Sequence, residues 1–323
     1  MDKTSDKKED SSVKLNYVCR NIVDCKQGTV RAVRFNVDGS YCLTCGADRT
    51  LKLWNPHRSL LLKTYLGHGG EVYDAAGSCD NSQLCSGGGD RIVVLWDVAT
   101  GRPLRRLRGH AGRINCIRFN EESSIIVSGS QDCTVRCWDI RCRQTRDAEM
   151  VLAESSDAVT SLFVTDHEIV TGSLDGRVRR YDVRAGELVT DCVAQPVTCV
   201  SQTRDGQCVV VSGADSTVRL LDRDTGELLG EYRGHDVSGF TTESCVDNTD
   251  RHVLSGSADG HVYCWDLVRE KLTETLLHGE VKGSASVVSS LSPHPLRSGL
   301  LSAAGGTVKL WGQEESPDGA DEA

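Results

Sequence analysis

The chain has no basic excess, no long apolar run and very little proline, and each shortage excludes something. Among 323 residues, 46 Asp and Glu outnumber 37 Lys and Arg, for a net charge of -9. A generic grip on nucleic acid needs a basic surface that neutralises phosphates, so no direct nucleic-acid binding is expected. No apolar run reaches the ~18 residues of a membrane span. No membrane association is expected, and nothing at the amino terminus reads as a targeting segment. Of the 6 prolines, Pro56, Pro103, Pro196, Pro293 and Pro295 fall in predicted connections. A disulfide framework is also missing. The 15 cysteines are odd in number and follow no framework spacing, which reads as reduced thiols in a cytosolic or nuclear protein. Cys42 and Cys45 form a Cys-x-x-Cys, but residues three apart in a strand point to opposite faces. No metal is expected there, and no cofactor motif is present.

What is abundant is glycine, with 32 residues, and a repeated phrase. Gly129-Ser130-Gln131-Asp132-Cys133-Thr134-Val135-Arg136-Cys137-Trp138-Asp139 is written again with variations along the chain. Its anchor falls at positions 54, 96, 138, 181, 221, 265 and 311, in steps of 42, 42, 43, 40, 44 and 46 residues. A period of this length, with a glycine-rich turn, an alternating run and a closing Trp-Asp, predicts an all-β, seven-bladed β-propeller. Asp48, Asp90, Asp132, Asp175, Asp215 and Asp259 each stand six residues before their anchor. Asp and Gly suit the positive φ of a tight hairpin turn. Alternation then predicts a strand with one buried face.

A second signature lies upstream. Gly67-His68, Gly109-His110 and Gly234-His235 place their histidines 22, 22 and 24 residues before the turn Asp, and Ser86, Ser128 and Ser255 stand ten before the anchor. These residues resemble the WD-repeat family. The resemblance implies that His, Asp, Ser and Trp of one blade form a buried hydrogen-bonded chain. The implied sets are His68, Ser86, Asp90 and Trp96; His110, Ser128, Asp132 and Trp138; and His235, Ser255, Asp259 and Trp265. A catalytic Ser-His-Asp reading is set aside because the trio recurs with the period of the fold.

Residues 1–14 mix four acids with four lysines and offer no apolar face, so they are expected to be a disordered tail. Residues 15–312 form the propeller, and 313–323 an acidic disordered tail carrying Glu314, Glu315, Asp318, Asp321 and Glu322. The stretch Tyr17 to Asp24 reads as a strand with no partner before it. The resemblance implies that it completes the last blade beside Thr307 to Trp311, which removes free sheet edges. Blades four and five lack the Gly-His pair and end at Tyr181 and Leu221. Blade six has an unusual first strand, Phe240 to Cys245. Blade seven carries Gly305 in place of the turn Asp. The charged connection Arg141 to Ala148 is expected to be a mobile loop.

Recognition on such a scaffold belongs to its loops. The resemblance implies a binding face displaying the residues before each turn Asp and those that begin each first strand. Arg31, Glu71, Tyr73, Arg113, Asn115 and Gln131 are the candidates there, since Tyr and Arg dominate interface hot spots. An alternative rests on Trp138-Asp139-Ile140-Arg141 and Tyr181-Asp182-Val183-Arg184. Asp139, Arg141, Asp182 and Arg184 resemble the box with which propeller receptors dock on the adaptor of cullin-4 ubiquitin ligases. Other runs narrow the resemblance to one vertebrate branch of the family: Gly28 to Trp54, Cys85-Ser-Gly-Gly-Gly-Asp, Asp175-Gly-Arg-Val-Arg-Arg-Tyr-Asp and Asp224-Thr-Gly-Glu-Leu-Leu-Gly-Glu-Tyr. That likeness implies a non-catalytic scaffold for extracellular signal-regulated kinase (MAP kinase) modules. It also implies association with spliceosomal proteins in pre-mRNA splicing, and residence in cytoplasm and nucleus. The protein is expected to be a monomer within larger assemblies.

Overall fold

The computed structural model describes residues 15–142, 147–279 and 287–313. The two tails, 1–14 and 314–323, and the middle of the Arg141–Ala148 connection lie outside the described residues. Among the described residues there is no helix. Twenty-eight strands form seven four-stranded antiparallel sheets. Six sheets take their strands in chain order. The seventh pairs Tyr17–Asp24 with Thr307–Gln313, then Gly299–Ala304 and Val288–Pro293. Tyr17 lies opposite Gln313 and Asp24 opposite Thr307, so the leading strand does close the ring. Gln313, assigned above to the acidic tail, is the last residue of that closing strand.

Neighbouring innermost strands touch all the way round, from Val30–Phe35 in blade one to Val288–Pro293 in blade seven and back. The core of the described residues is divided into seven apolar clusters, each filling the space between two neighbouring sheets. Between blades one and two, for example, Ala32, Leu43, Leu51 and Tyr65 meet Val72, Leu84, Val94 and Trp96. Such packing requires the sheets to come close at one strand position. A Cβ added to Gly87, Gly129 or Gly172 would stand 2.4, 2.7 and 2.6 Å from Ile114, Val159 and Val197 of the next blade. Glycine after the blade hydroxyl therefore sets the spacing between blades.

The turns hold a small surprise. Positive φ falls on the residue after the turn Asp, as at Arg49 (70°), Arg91 (64°) and Cys133 (64°), rather than on the Asp. The Asp stays in ordinary backbone and uses its carboxylate to accept the N–H two residues on, as Asp132 does from Thr134 at 3.1 Å. Two further expectations shift. The first strand of blade six is only Ser244–Val246. Phe240 instead belongs to a turn closed on Val237, and the Glu243 side chain is drawn into the channel. Pro103 and Pro293 sit at strand ends rather than in connections, where a missing N–H interrupts little of the ladder.

Candidate protein-interaction site

The polar residues beneath the loops are used by the fold. In blade three, His110 Nδ1 lies 2.9 Å from Asp132 and Nε2 lies 2.8 Å from Ser128, which also accepts the Trp138 indole N–H at 2.9 Å. A carboxylate only accepts, so the order of donation follows: indole to serine, serine hydroxyl to Nε2, and Nδ1–H to Asp132. Blade two repeats this with His68, Asp90, Ser86 and Trp96 at 2.9, 2.7 and 2.8 Å. Burial disfavours the Asp132 carboxylate, but Thr134 and His110 hold it below the usual range. Burial pushes the His110 imidazole down, against the pull of Asp132. Ser86 and Ser128 are fully buried, so no substrate can reach their hydroxyls.

The third set differs from expectation. His235 is buried, but neither ring nitrogen has a partner. Ser255 donates to the Gly256 carbonyl, Trp265 donates to the Arg233 carbonyl at 3.2 Å, and Asp259 accepts from the Tyr263 hydroxyl at 2.8 Å. The cause is the longer spacing of 24 residues before Asp259, together with Tyr263, whose ring stacks on Trp265 and whose hydroxyl takes the carboxylate. A contrast follows. His110→Phe should cost about 2–3 kcal/mol, because it removes one donor from the largely buried Asp132 carboxylate and the acceptor of the buried Ser128 hydroxyl. His235→Phe should be neutral or stabilising, because it removes two unsatisfied polar atoms. Urea unfolding of both variants decides this, and equal losses would refute it.

The remaining blades rebuild the knot from other residues. Gln27 replaces histidine in blade one, meeting Thr44, which accepts the Trp54 indole at 2.9 Å. His278 does so in blade seven, bridging Ser302 at 2.6 Å and Thr307 at 3.2 Å. In blades four and five the turn Asp is taken by an arginine four residues on: Arg179 reaches Asp175 at 2.6 Å and Arg219 reaches Asp215 at 2.5 Å. None of these substitutes carries the Gly-His signature.

A cavity of about 750 Å³ runs along the central channel. An ionic chain crosses its wall. Glu243 holds Arg34 at 2.6 and 2.8 Å, Arg34 reaches Asp74 at 2.9 Å, and Arg118 reaches Asp74 at 2.5 Å. Ser290 donates to Glu243 at 2.7 Å and accepts the Val33 N–H at 3.0 Å. Blades six, seven, one, two and three are thereby tied in succession.

At one mouth of this channel the structure gathers the candidates. The Arg31 and Arg113 guanidiniums lie 5.6 and 5.0 Å from the centre of the Tyr73 ring. Glu71 pairs with Arg31 at 2.9 Å, and Asn115 accepts from Arg113 at 3.1 Å and donates to the Val159 carbonyl at 2.7 Å. Gln131 lines the same cavity, its backbone N–H bonded to the Arg113 carbonyl. All six residues thus fall on blades one to three around one opening. The alternative quartet is employed locally. Asp139 accepts from the Arg141 guanidinium at 2.8 and 3.1 Å as well as from its backbone N–H. Asp182 holds the turn through the N–H groups of Arg184 and Ala185, both at 2.8 Å. In both repeats the closing Asp is a turn residue first.

Seven such sheets, five of them anchored by a tryptophan, define a WD-repeat β-propeller. The family model described as WD domain, G-beta repeat matches residues 17–55, 59–97, 101–139, 186–222 and 226–266. The chain is 62% identical over 292 residues to WD repeat domain-containing protein 83 of Rattus norvegicus, covering 90% of this chain and 91% of that one. Against the Homo sapiens protein of that name it is 60% identical over 300 residues, 92% and 93% of the two chains. Against the homolog of Dictyostelium discoideum it is 30% identical over 326 residues, 92% and 98%. The chain therefore belongs to the family of WD repeat domain-containing protein 83. Propellers of this kind are generally non-enzymatic scaffolds for protein interaction.

Proposed function

We propose that the protein is a non-catalytic scaffold that gathers components of extracellular signal-regulated kinase modules and associates with spliceosomal proteins during pre-mRNA splicing. It works in both cytoplasm and nucleus. The kinase and splicing parts are supported by the likeness of the runs around Gly28 to Trp54 and Asp175 to Asp182 to that branch of the family. The interaction part is carried by one observation: Arg31, Tyr73 and Arg113, from three different blades, converge on one exposed channel mouth. The recurring Ser, His and Asp groups are consumed inside the blades, so no chemistry is assigned to them.

The test is affinity purification of the wild-type chain and of the triple variant R31A/Y73A/R113A from cell extract. Kinase-cascade and spliceosomal proteins are then quantified by mass spectrometry. At least one of the two sets should fall about tenfold or more, as expected for hot-spot residues, while the melting temperature stays near wild type. Undiminished recovery of both sets would mean that this mouth is not where they bind.

A further inference from the structure

The charge balance at this mouth is uneven, and the unevenness specifies what can bind there. Arg31 spends its Nε and Nη2 on a single oxygen of Glu71. Arg113 spends its Nε on Asn115 and its Nη1 on the Tyr73 hydroxyl, the latter a long contact at 3.5 Å. Arg31 Nη1 and Arg113 Nη2 keep no partner among the described residues, and both side chains are exposed. Two guanidiniums share one aromatic ring, yet only Arg31 has a carboxylate. Arg31 and Arg113 against Glu71 leave one positive charge uncompensated. Asp157, an acid of blade four lining the same cavity, turns its carboxylate to the Ala158 N–H at 2.6 Å. Gly89 borders Tyr73, and an added Cβ there would make only ordinary contact with the ring edge at 3.6 Å.

We infer that the mouth accepts a single carboxylate from an acidic, extended segment of a protein partner. The inference rests on the reading of this rim as partner-binding. The Asp or Glu side chain lies between blades one and three over Tyr73. It accepts from Arg113 Nη2 and Arg31 Nη1, and the adjoining residues of the segment face the channel. Charge-assisted bonds to two planar guanidiniums give such a site both strength and direction. One carboxylate cancels the surplus charge. A phosphate dianion would exceed it and face Glu71 at close range, so the geometry favours an unmodified acidic residue.

The experiment is selection of a random linear peptide display library on the full chain, in wild-type, R113Q and R31Q/R113Q forms, with a melting curve for each. Enriched peptides should share an Asp or Glu at one fixed position. A fluorescein-labelled synthetic copy should lose about tenfold in affinity when that acid is exchanged for its amide, and about tenfold on R113Q, with Arg113→Lys in between. The loss should shrink in high salt. Peptides without a shared acid that still need Tyr73 would overturn the carboxylate inference and leave the rim reading intact. A phosphoserine at the fixed position binding more than about tenfold tighter would overturn it in favour of a phosphorylated partner. Peptides indifferent to Tyr73→Ala and to both arginine variants, or no enrichment at all, would overturn the inference and the rim reading together.

Discussion

Replacing Asp74 by alanine should cost about 3–5 kcal/mol of folding free energy, the range found when one member of a buried ion pair is removed. The Asp74 side chain is 3% exposed and serves four donors. It pairs with Arg34 at 2.9 Å and Arg118 at 2.5 Å, and accepts the N–H groups of Ala75 at 3.0 Å and Ile117 at 3.1 Å. Alanine would leave Arg118 without its carboxylate and Arg34 with Glu243 alone, inside a channel wall. It would also leave the Ile117 N–H of the next blade without an acceptor. Asp74→Asn keeps the shape and an acceptor but not the charge, and should cost less. Glu71→Ala supplies the control, because it removes an ion pair of similar length whose partners are both 38% exposed. Exposed pairs contribute about 0–1 kcal/mol. Equilibrium unfolding in urea of all three variants measures the ranking. If Asp74→Ala cost no more than Glu71→Ala, the ionic chain would not be what ties these blades together.

That chain marks where reading the sequence stops. The blades were visible because one buried indole or its substitute recurs every forty-odd residues, and because the strands between alternate. The rim was visible for a related reason. Arg31, Tyr73 and Asn115 occupy the same place in three successive first strands, so a residue's rank in the repeat gives its place on the disc. The ionic chain has no such register. Glu243 lies 209 residues from Arg34 and stands just before a strand too short to fit the pattern. Only ring closure makes them neighbours.

The polar knots fall between these cases. Blades two and three obey the Gly-His spacing and form as the resemblance implied. Blade six carries the same letters two residues further apart, and Tyr263 displaces the histidine. Spacing was thus the informative quantity, and it was on the page as 24 against 22. Gln27 and His278 were hidden because they meet the same hydroxyl from segments without the signature. Arg179 and Arg219 were hidden because they approach the turn Asp from the strand after it, although the shared spacing of four residues from Asp175 and Asp215 could have exposed them. The physical demand is constant, since a buried carboxylate or hydroxyl must be satisfied. The residue that meets it is not.

Blade seven shows what such a replacement costs when pH changes. In blade three the imidazole faces an aspartate, which favours its protonated form. In blade seven Gly305 stands where that aspartate would be, and among the described residues the ring nitrogens of His278 meet the hydroxyls of Ser302 and Thr307. Burial, aided by the nearby Lys309 ammonium, pushes His278 down to about 4. A histidine whose folded value lies below its unfolded value near 6.5 takes up its proton more readily when unfolded. Its contribution is complete above about pH 6.5 and is lost as pH falls toward 4, on the order of 3 kcal/mol. His110 and His235 are lowered as well and add to the same slope. The carboxylates Asp90 and Asp132 are held below their usual range, so their contribution is lost only at still lower pH. The protein should therefore weaken first between about pH 6.5 and 4 through its histidines. His278→Gln keeps a donor and an acceptor but cannot titrate, so it should flatten that part of the curve while leaving the acid limb in place. Urea midpoints measured from pH 7.5 to 4 for both proteins decide it. Parallel curves would place the sensitivity elsewhere than in the closing blade.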